Sequence, residues 1–311
     1  MAPANRANWD QVADIFGLDS NYRAEALRIS SITGDDNRYY ALVCLNQKAR
    51  QESVKNSTRS HLDWTPKATL ADELKKMLRL ILRDSSIESY TDTLNSSKTI
   101  ISGSFHRKAM QAIMNQTDSW KAEFLPPDFG TTLDDLFNHD KFIKFLKAKL
   151  RHARDDFRAE IMTNIWVPKS KINEPQIEVP DLESLLGLLY RFFDRNESRT
   201  PKELKRQVDA KTQARFAYLR IEISIYHDTS LDDRKKNGGL TYWGLIDRKL
   251  AELRDKSREH RRAFNAVVLA RDQGLFNGKN KWDKIKSDDK LEVPTQEDVL
   301  TAIPFLPGNA S

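Results

Sequence analysis

A chain of 311 residues with 39% hydrophobic side chains can bury one large core or two moderate ones. Its mean hydropathy of -0.65 and its regular apolar periodicity exclude both a membrane-spanning bundle and a wholly unfolded chain. The net charge of +6 favours an anionic partner, yet basic and acidic residues number 24 and 22 over 1–166 and 27 and 23 beyond, so neither part is a basic domain.

Polar residues fill Met1 to Trp9, with no hydrophobic leader, which predicts an intracellular protein, cytoplasmic or nuclear. Helices are predicted over Trp9–Phe16, Asn21–Ser31 and Asn37–Val54, the last opening after Gly34 and Asp35. The single cysteine, Cys44, lies in the apolar run Tyr39–Leu45. It has no intrachain partner and no neighbouring base, so it reads as a buried thiol.

Thr65 followed by Pro66 reads as an N-cap and first helical residue, and Leu70, Leu74, Met77, Leu78, Ile81 and Leu82 supply an apolar face. Ser104 is placed to cap a helix over Phe105–Asn115. Thr132 with Asp135 predicts a short helix through Phe137, and Asp140 a cap for the next, so the pair has the outline of a helix-turn-helix.

Lys141 to Trp166 carries the sharpest signal. Phe142, Leu146, Leu150, Ala153, Phe157, Ile161 and Ile165 recur every three or four residues, as in an amphipathic helix. Lys144, Lys147, Arg151, Arg154 and Arg158 form a second stripe opposite them. No acidic residue occurs between Lys141 and Arg154, whereas a solvated face normally mixes signs so that i,i+4 pairs form.

Pro168, Pro175 and Pro180 break the helical pattern and predict a linker or long loop over 167–180. Beyond it, a helix over Asp181–Phe193 carries apolar side chains around nearly its whole circumference, which suits a central core position. Thr200, Pro201 and Glu203 form a capping box opening a long helix to Tyr226. Leu219–Tyr226 alternates apolar and polar like a strand, but no second strand is present to pair with it, so helix is preferred. Asp233–Gly239 reads as a mobile loop. Helices follow over Tyr242–Lys256 and Arg258–Gln273, with Gly274 at the expected left-handed C-cap. Thr295 and Asp298 open a short last helix, which Pro304 ends.

The fold expected is all-α, an irregular multi-helix bundle of two helical units, 1–166 and 181–303, joined by 167–180 and followed by a disordered tail at 304–311. Gly238 and Gly239 lack the spacing of a P-loop or dinucleotide turn, Ser102-Gly103-Ser104 lacks a nucleophile elbow, and the six histidines are too scattered for zinc. No catalytic residue, cofactor or metal is therefore predicted.

The expected function is non-enzymatic binding of an anionic partner, foremost a DNA or RNA backbone, through Lys141, Lys144, Lys147, Arg151, Arg154 and Arg158. The alternative is a protein-interaction module with mixed-charge helical surfaces. The weaker basic stripes at Arg199–Arg220 and Arg254–Arg262 are expected to be solvated faces. Trp120, Trp166, Tyr242, Trp243 and Trp282, near element ends, suit packing at helix junctions.

Overall fold

The computed structural model describes residues 64–126, 129, 140–166, 175–236 and 238–306. Contacts divide the chain into a unit of Met1–Trp64 and a unit of Thr65–Ser311. All of the described helices belong to the second unit. The helices expected before Trp64, the setting of Cys44 and the short helix through Phe137 lie outside the described residues, as does 307–311. Among the described residues there are twelve α-helices and no strand, so the fold is all-α.

Helix α1 spans Ala68–Leu82 and buries Leu70, Leu74, Leu78 and Leu82, one residue per turn. It begins later than the Thr65-Pro66 signal implies, because Lys67 stays extended (φ -61°, ψ 146°) and takes the cap position without a side-chain hydrogen bond. Helix α2 (Phe105–Met114) opens as expected, the Ser104 hydroxyl accepting from the Arg107 amide. Helix α3 (Asp118–Phe124), capped by Thr117, has no counterpart in the sequence reading.

Helix α4 runs from Asp140 to Ile161, and Asp140 is its first residue rather than its cap. The chain turns after Ile161, with Asn164 in the left-handed region at φ 61°, a conformation asparagine tolerates better than most residues. The Asn164 amide then donates to the Glu178 carbonyl at 2.8 Å.

Helix α5 (Leu182–Phe193) is capped by Asp181 and buries Leu185, Leu186, Leu189, Phe192 and Phe193. The long helix expected from Pro201 is in fact two, α6 (Pro201–Gln207) and α7 (Ala210–Asp228). Asp209 is extended and its carboxylate caps α7 through the Thr212 amide (2.9 Å), while the Gln213 side chain donates back to the Lys205 and Val208 carbonyls at the end of α6. These bonds satisfy groups on both sides of the break, where Val208 is buried and Asp209 exposed. The capping box at Thr200 and Glu203 forms as predicted.

The alternating stretch Leu219–Tyr226 is helical, inside α7. Its period is blurred because α7 is buried almost all round: Phe216, Ala217, Leu219, Ile221 and Ile223 are covered, and so are Arg220, Glu222 and Ser224. Arg220 meets Asp272 there, both side chains fully buried.

Asp233–Gly239 is not all loop, since α8 (Leu231–Lys236) covers its first part and Gly238 and Gly239 (φ 81° and 67°) make the turn. Helix α9 (Tyr242–Arg254) and helix α10 (Arg258–Leu275) follow, capped by Thr241 and Ser257. Gly274 sits inside α10 and Phe276 ends it, which corrects the expected glycine cap. Helix α11 (Trp282–Ile285) is a single turn. Helix α12 (Gln296–Ala302) opens with the Thr295–Asp298 box and runs into a 3-10 turn at Ile303–Phe305.

Phe157 of α4 marks the centre of the core. Its ring lies 6.2 Å from Phe192, 5.7 Å from Phe193, 6.1 Å from Phe216 and 6.5 Å from Trp243, so α4, α5, α7 and α9 converge on one aromatic cluster. Full burial of such a side chain contributes about 1.5–3 kcal/mol. The expected boundary at 167–180 therefore falls inside Thr65–Ser311. Its described part, 175–180, lies against the body, with Val179 buried and its amide donating to the Asn280 carbonyl at 2.9 Å.

Candidate functional site

Helix α4 has the two faces its sequence predicts. Phe142, Leu146, Leu150, Ala153, Phe157 and Ile161 are buried together with Ile143, against α1, α5 and α7. Lys141, Lys144, Lys147 and Arg151 are exposed, and among the described residues none of the four is in an ion pair. Lys141 and Arg151 lie ten positions apart, or about 15 Å of helix at 1.5 Å per residue. Lys149, outside the stripe, lies over the Phe145 ring.

The other two predicted cations behave differently. Arg154 is half-buried; its guanidinium donates to the Tyr90 carbonyl, and burial pushes its pKa down. Arg158 is half-buried between two rings, 5.3 Å from the Trp166 centroid and 5.6 Å from that of Tyr242. The second half of α4 is covered by the segment after α1 and by the start of α9, elements remote in sequence. The structure thus keeps Lys141, Lys144, Lys147 and Arg151 as a surface and turns Arg154 and Arg158 inward. Of the aromatic residues near element ends, Trp243 and Trp282 are buried, as junction packing requires, while Trp166 is 37% exposed.

His106 on α2 feels the same positive field. Burial, then Lys147 and Arg107, hold its imidazole down to about 4, so the ring is neutral at physiological pH.

A second basic region was not legible in the sequence. It is a cleft of about 700 Å³ walled by residues 85–88, by α7, by the end of α9 and by the first turns of α10. Among the described residues six cations line it: Lys211, Arg215, Arg254, Arg258, Arg261 and Arg262. Its floor is apolar, formed by Ala214, Tyr218, Leu250, Leu253 and Phe264. Among the described residues Glu88 is the one carboxylate in the lining, and it is engaged by the Gly103 amide at 3.0 Å.

Several of these arginines are fixed by backbone carbonyls. Arg215 donates to Ile87 (2.9 Å) and Ser85 (3.1 Å), and Arg254 to Glu88 (2.7 Å). Arg261 donates to the Lys256 carbonyl at 2.7 Å, closing the turn between α9 and α10. Carbonyls hold a guanidinium in place without neutralising it, so the positive potential survives.

The 85–91 segment itself is held by Asp247 of α9. This carboxylate, 4% exposed, accepts from the Tyr90 amide (2.6 Å), the Thr91 amide (2.8 Å), and the Ser89 and Thr91 hydroxyls. Arg154 binds the same segment at Tyr90, so one stretch of chain touches both basic regions.

In the sequence these cations belong to the two weaker stripes, which read there as solvated faces. Lys211 and Arg215 come from one, and Arg254, Arg258, Arg261 and Arg262 from the other. Their companions have other fates: Arg199 pairs with Glu197 and Arg220 with Asp272. Among the described residues no three His, Cys, Asp or Glu side chains are grouped to hold a metal, and no helix is long and apolar enough to cross a membrane. Comparison with protein-family models, curated proteins and solved structures finds no match to this chain.

Proposed function

We propose that this protein binds the phosphate backbone of a nucleic acid through the exposed face of α4. The observation that carries this reading is the row Lys141, Lys144, Lys147 and Arg151, exposed and without an ion-pair partner among the described residues. Cations at every third or fourth position suit phosphates better than base edges, which are read by singly placed Asn, Gln or Arg. The binding expected is therefore weakly sequence-specific, and the role non-enzymatic in a cytoplasmic or nuclear setting. Arg154 and Arg158 support the helix from beneath.

The test is fluorescence anisotropy with labelled duplex DNA, single-stranded DNA and RNA over a range of salt. Four phosphate contacts give a slope of log affinity on log salt near -3.6 for duplex, from about -0.9 per contact. A Lys144→Glu/Lys147→Glu/Arg151→Glu variant, which leaves Arg154 and Arg158 in place, should lose most of the affinity. Binding that does not respond to salt, or that survives in the variant, overturns the reading and favours a protein partner.

A further inference from the structure

We propose that the cleft between α7, α9, α10 and residues 85–88 is a binding site for a nucleoside polyphosphate. Its volume, about 700 Å³, lies within the range of small-molecule sites. Three independent features select the ligand class.

The first is charge. Among the described residues the lining sets Lys211, Arg215, Arg254, Arg258 and Arg261 against one engaged carboxylate, which makes the cleft attractive to a compact polyanion. Arg215 and Arg254 are held in place by the carbonyls of Ser85, Ile87 and Glu88, so no ordering of these side chains is needed on binding. Lys211 and Arg258 are exposed, with no ion pair or hydrogen bond among the described residues, and are able to close over phosphates.

The second is the placement of that charge. Arg258, Arg261 and Arg262 occupy the first five residues of α10, an 18-residue helix whose N-terminus already carries partial positive charge. Cations there oppose the helix dipole, and Glu259 is the one acid in that turn. An anion in the cleft would offset the mutual repulsion of these cations.

The third is the floor. Ala214, Leu250, Leu253 and Phe264 offer apolar surface beneath the cations, which inorganic phosphate would leave unused and which a nucleobase would cover. A ligand with an anionic end and a flat ring system fits both halves of the site.

Isothermal titration calorimetry on the full chain, with ATP, GTP, tripolyphosphate and adenosine as probes at physiological salt, tests this. ATP or GTP should bind at least about tenfold tighter than tripolyphosphate or adenosine, since neither fragment uses both halves of the cleft. A Lys211→Ala/Arg258→Ala variant removes two exposed side chains and should melt like wild type, yet lose at least about tenfold in nucleotide affinity. Lys144→Glu/Lys147→Glu on α4 should leave that affinity within about twofold, which separates this site from the α4 surface. The proposal is overturned if neither nucleotide binds, if tripolyphosphate binds as tightly as ATP, or if the α4 variant weakens nucleotide as much as the cleft variant. It is equally overturned if a short oligonucleotide, and not the mononucleotide, is what the cleft variant loses.

Discussion

The ion pair between Arg220 and Asp272 offers the most decisive test of how the core is closed. Both side chains are fully buried; Nε and Nη2 of Arg220 donate to the two carboxylate oxygens at 3.0 and 2.6 Å. Nη1 donates to the Pro180 carbonyl at 2.7 Å, and the guanidinium lies 4.2 Å from the Phe276 ring centroid. One arginine thus ties α7 to α10 and to the segment entering α5. Removing one partner leaves an uncompensated charge in the core, which costs about 3–5 kcal/mol. For a unit of this size, roughly 2–4 °C in Tm per kcal/mol makes that a loss of about 6–20 °C. Arg220→Met or Asp272→Leu alone should each show it in urea denaturation followed by circular dichroism. The double variant should recover most of the loss, because apolar replacements often match a buried pair; the remaining deficit is the unpaired Pro180 carbonyl, about 1 kcal/mol. Single variants that cost under about 1 kcal/mol, or a double variant as unstable as the two added together, would refute the reasoning.

Two further outcomes follow from buried polar groups. His106 is held down to about 4, whereas the unfolded chain titrates near 6.5 and takes up its proton first. Stability present above about pH 6.5 should therefore fall by roughly 2–3 kcal/mol as the pH drops toward 4. His106→Gln should flatten that fall, and parallel pH profiles for the two proteins would show that the imidazole is not its cause. Asp247→Ala strips the Tyr90 and Thr91 amides and the Ser89 and Thr91 hydroxyls of their acceptor, for an expected loss of about 2–4 kcal/mol. Hydrogen exchange at Tyr90 and Thr91 should accelerate selectively, and unchanged protection there would remove Asp247 as the anchor of this segment.

What the sequence by itself determined is much of what neighbours within a turn or two govern. The apolar stripe of α4, the all-round apolar character of α5, and the caps at Ser104, Thr200 and Thr295 could be read because capping and burial patterns depend on residues three or four apart. One local signal was missed: the long helix expected from Pro201 is broken by the Asp209 cap on the Thr212 amide, with Gln213 bonding back across the break. Elsewhere the local pattern was overridden by packing against other elements. The strand-like stretch Leu219–Tyr226 lost its helical period because neighbours cover α7 on nearly every side.

Only the tertiary structure decided which charges remain on the surface and which meet. Arg154, Arg158 and Arg220 look in the sequence like Lys144 and Lys147, yet they turn to a carbonyl, to aromatic rings and to a buried carboxylate. Lys211, Arg215, Arg254, Arg258, Arg261 and Arg262 read as ordinary solvated faces until α7, α9 and α10 bring them around one cleft. A helix's period reports which side is covered, but not by what. That depends on closing loops of tens to more than a hundred residues, and on the apolar burial that makes the closure favourable.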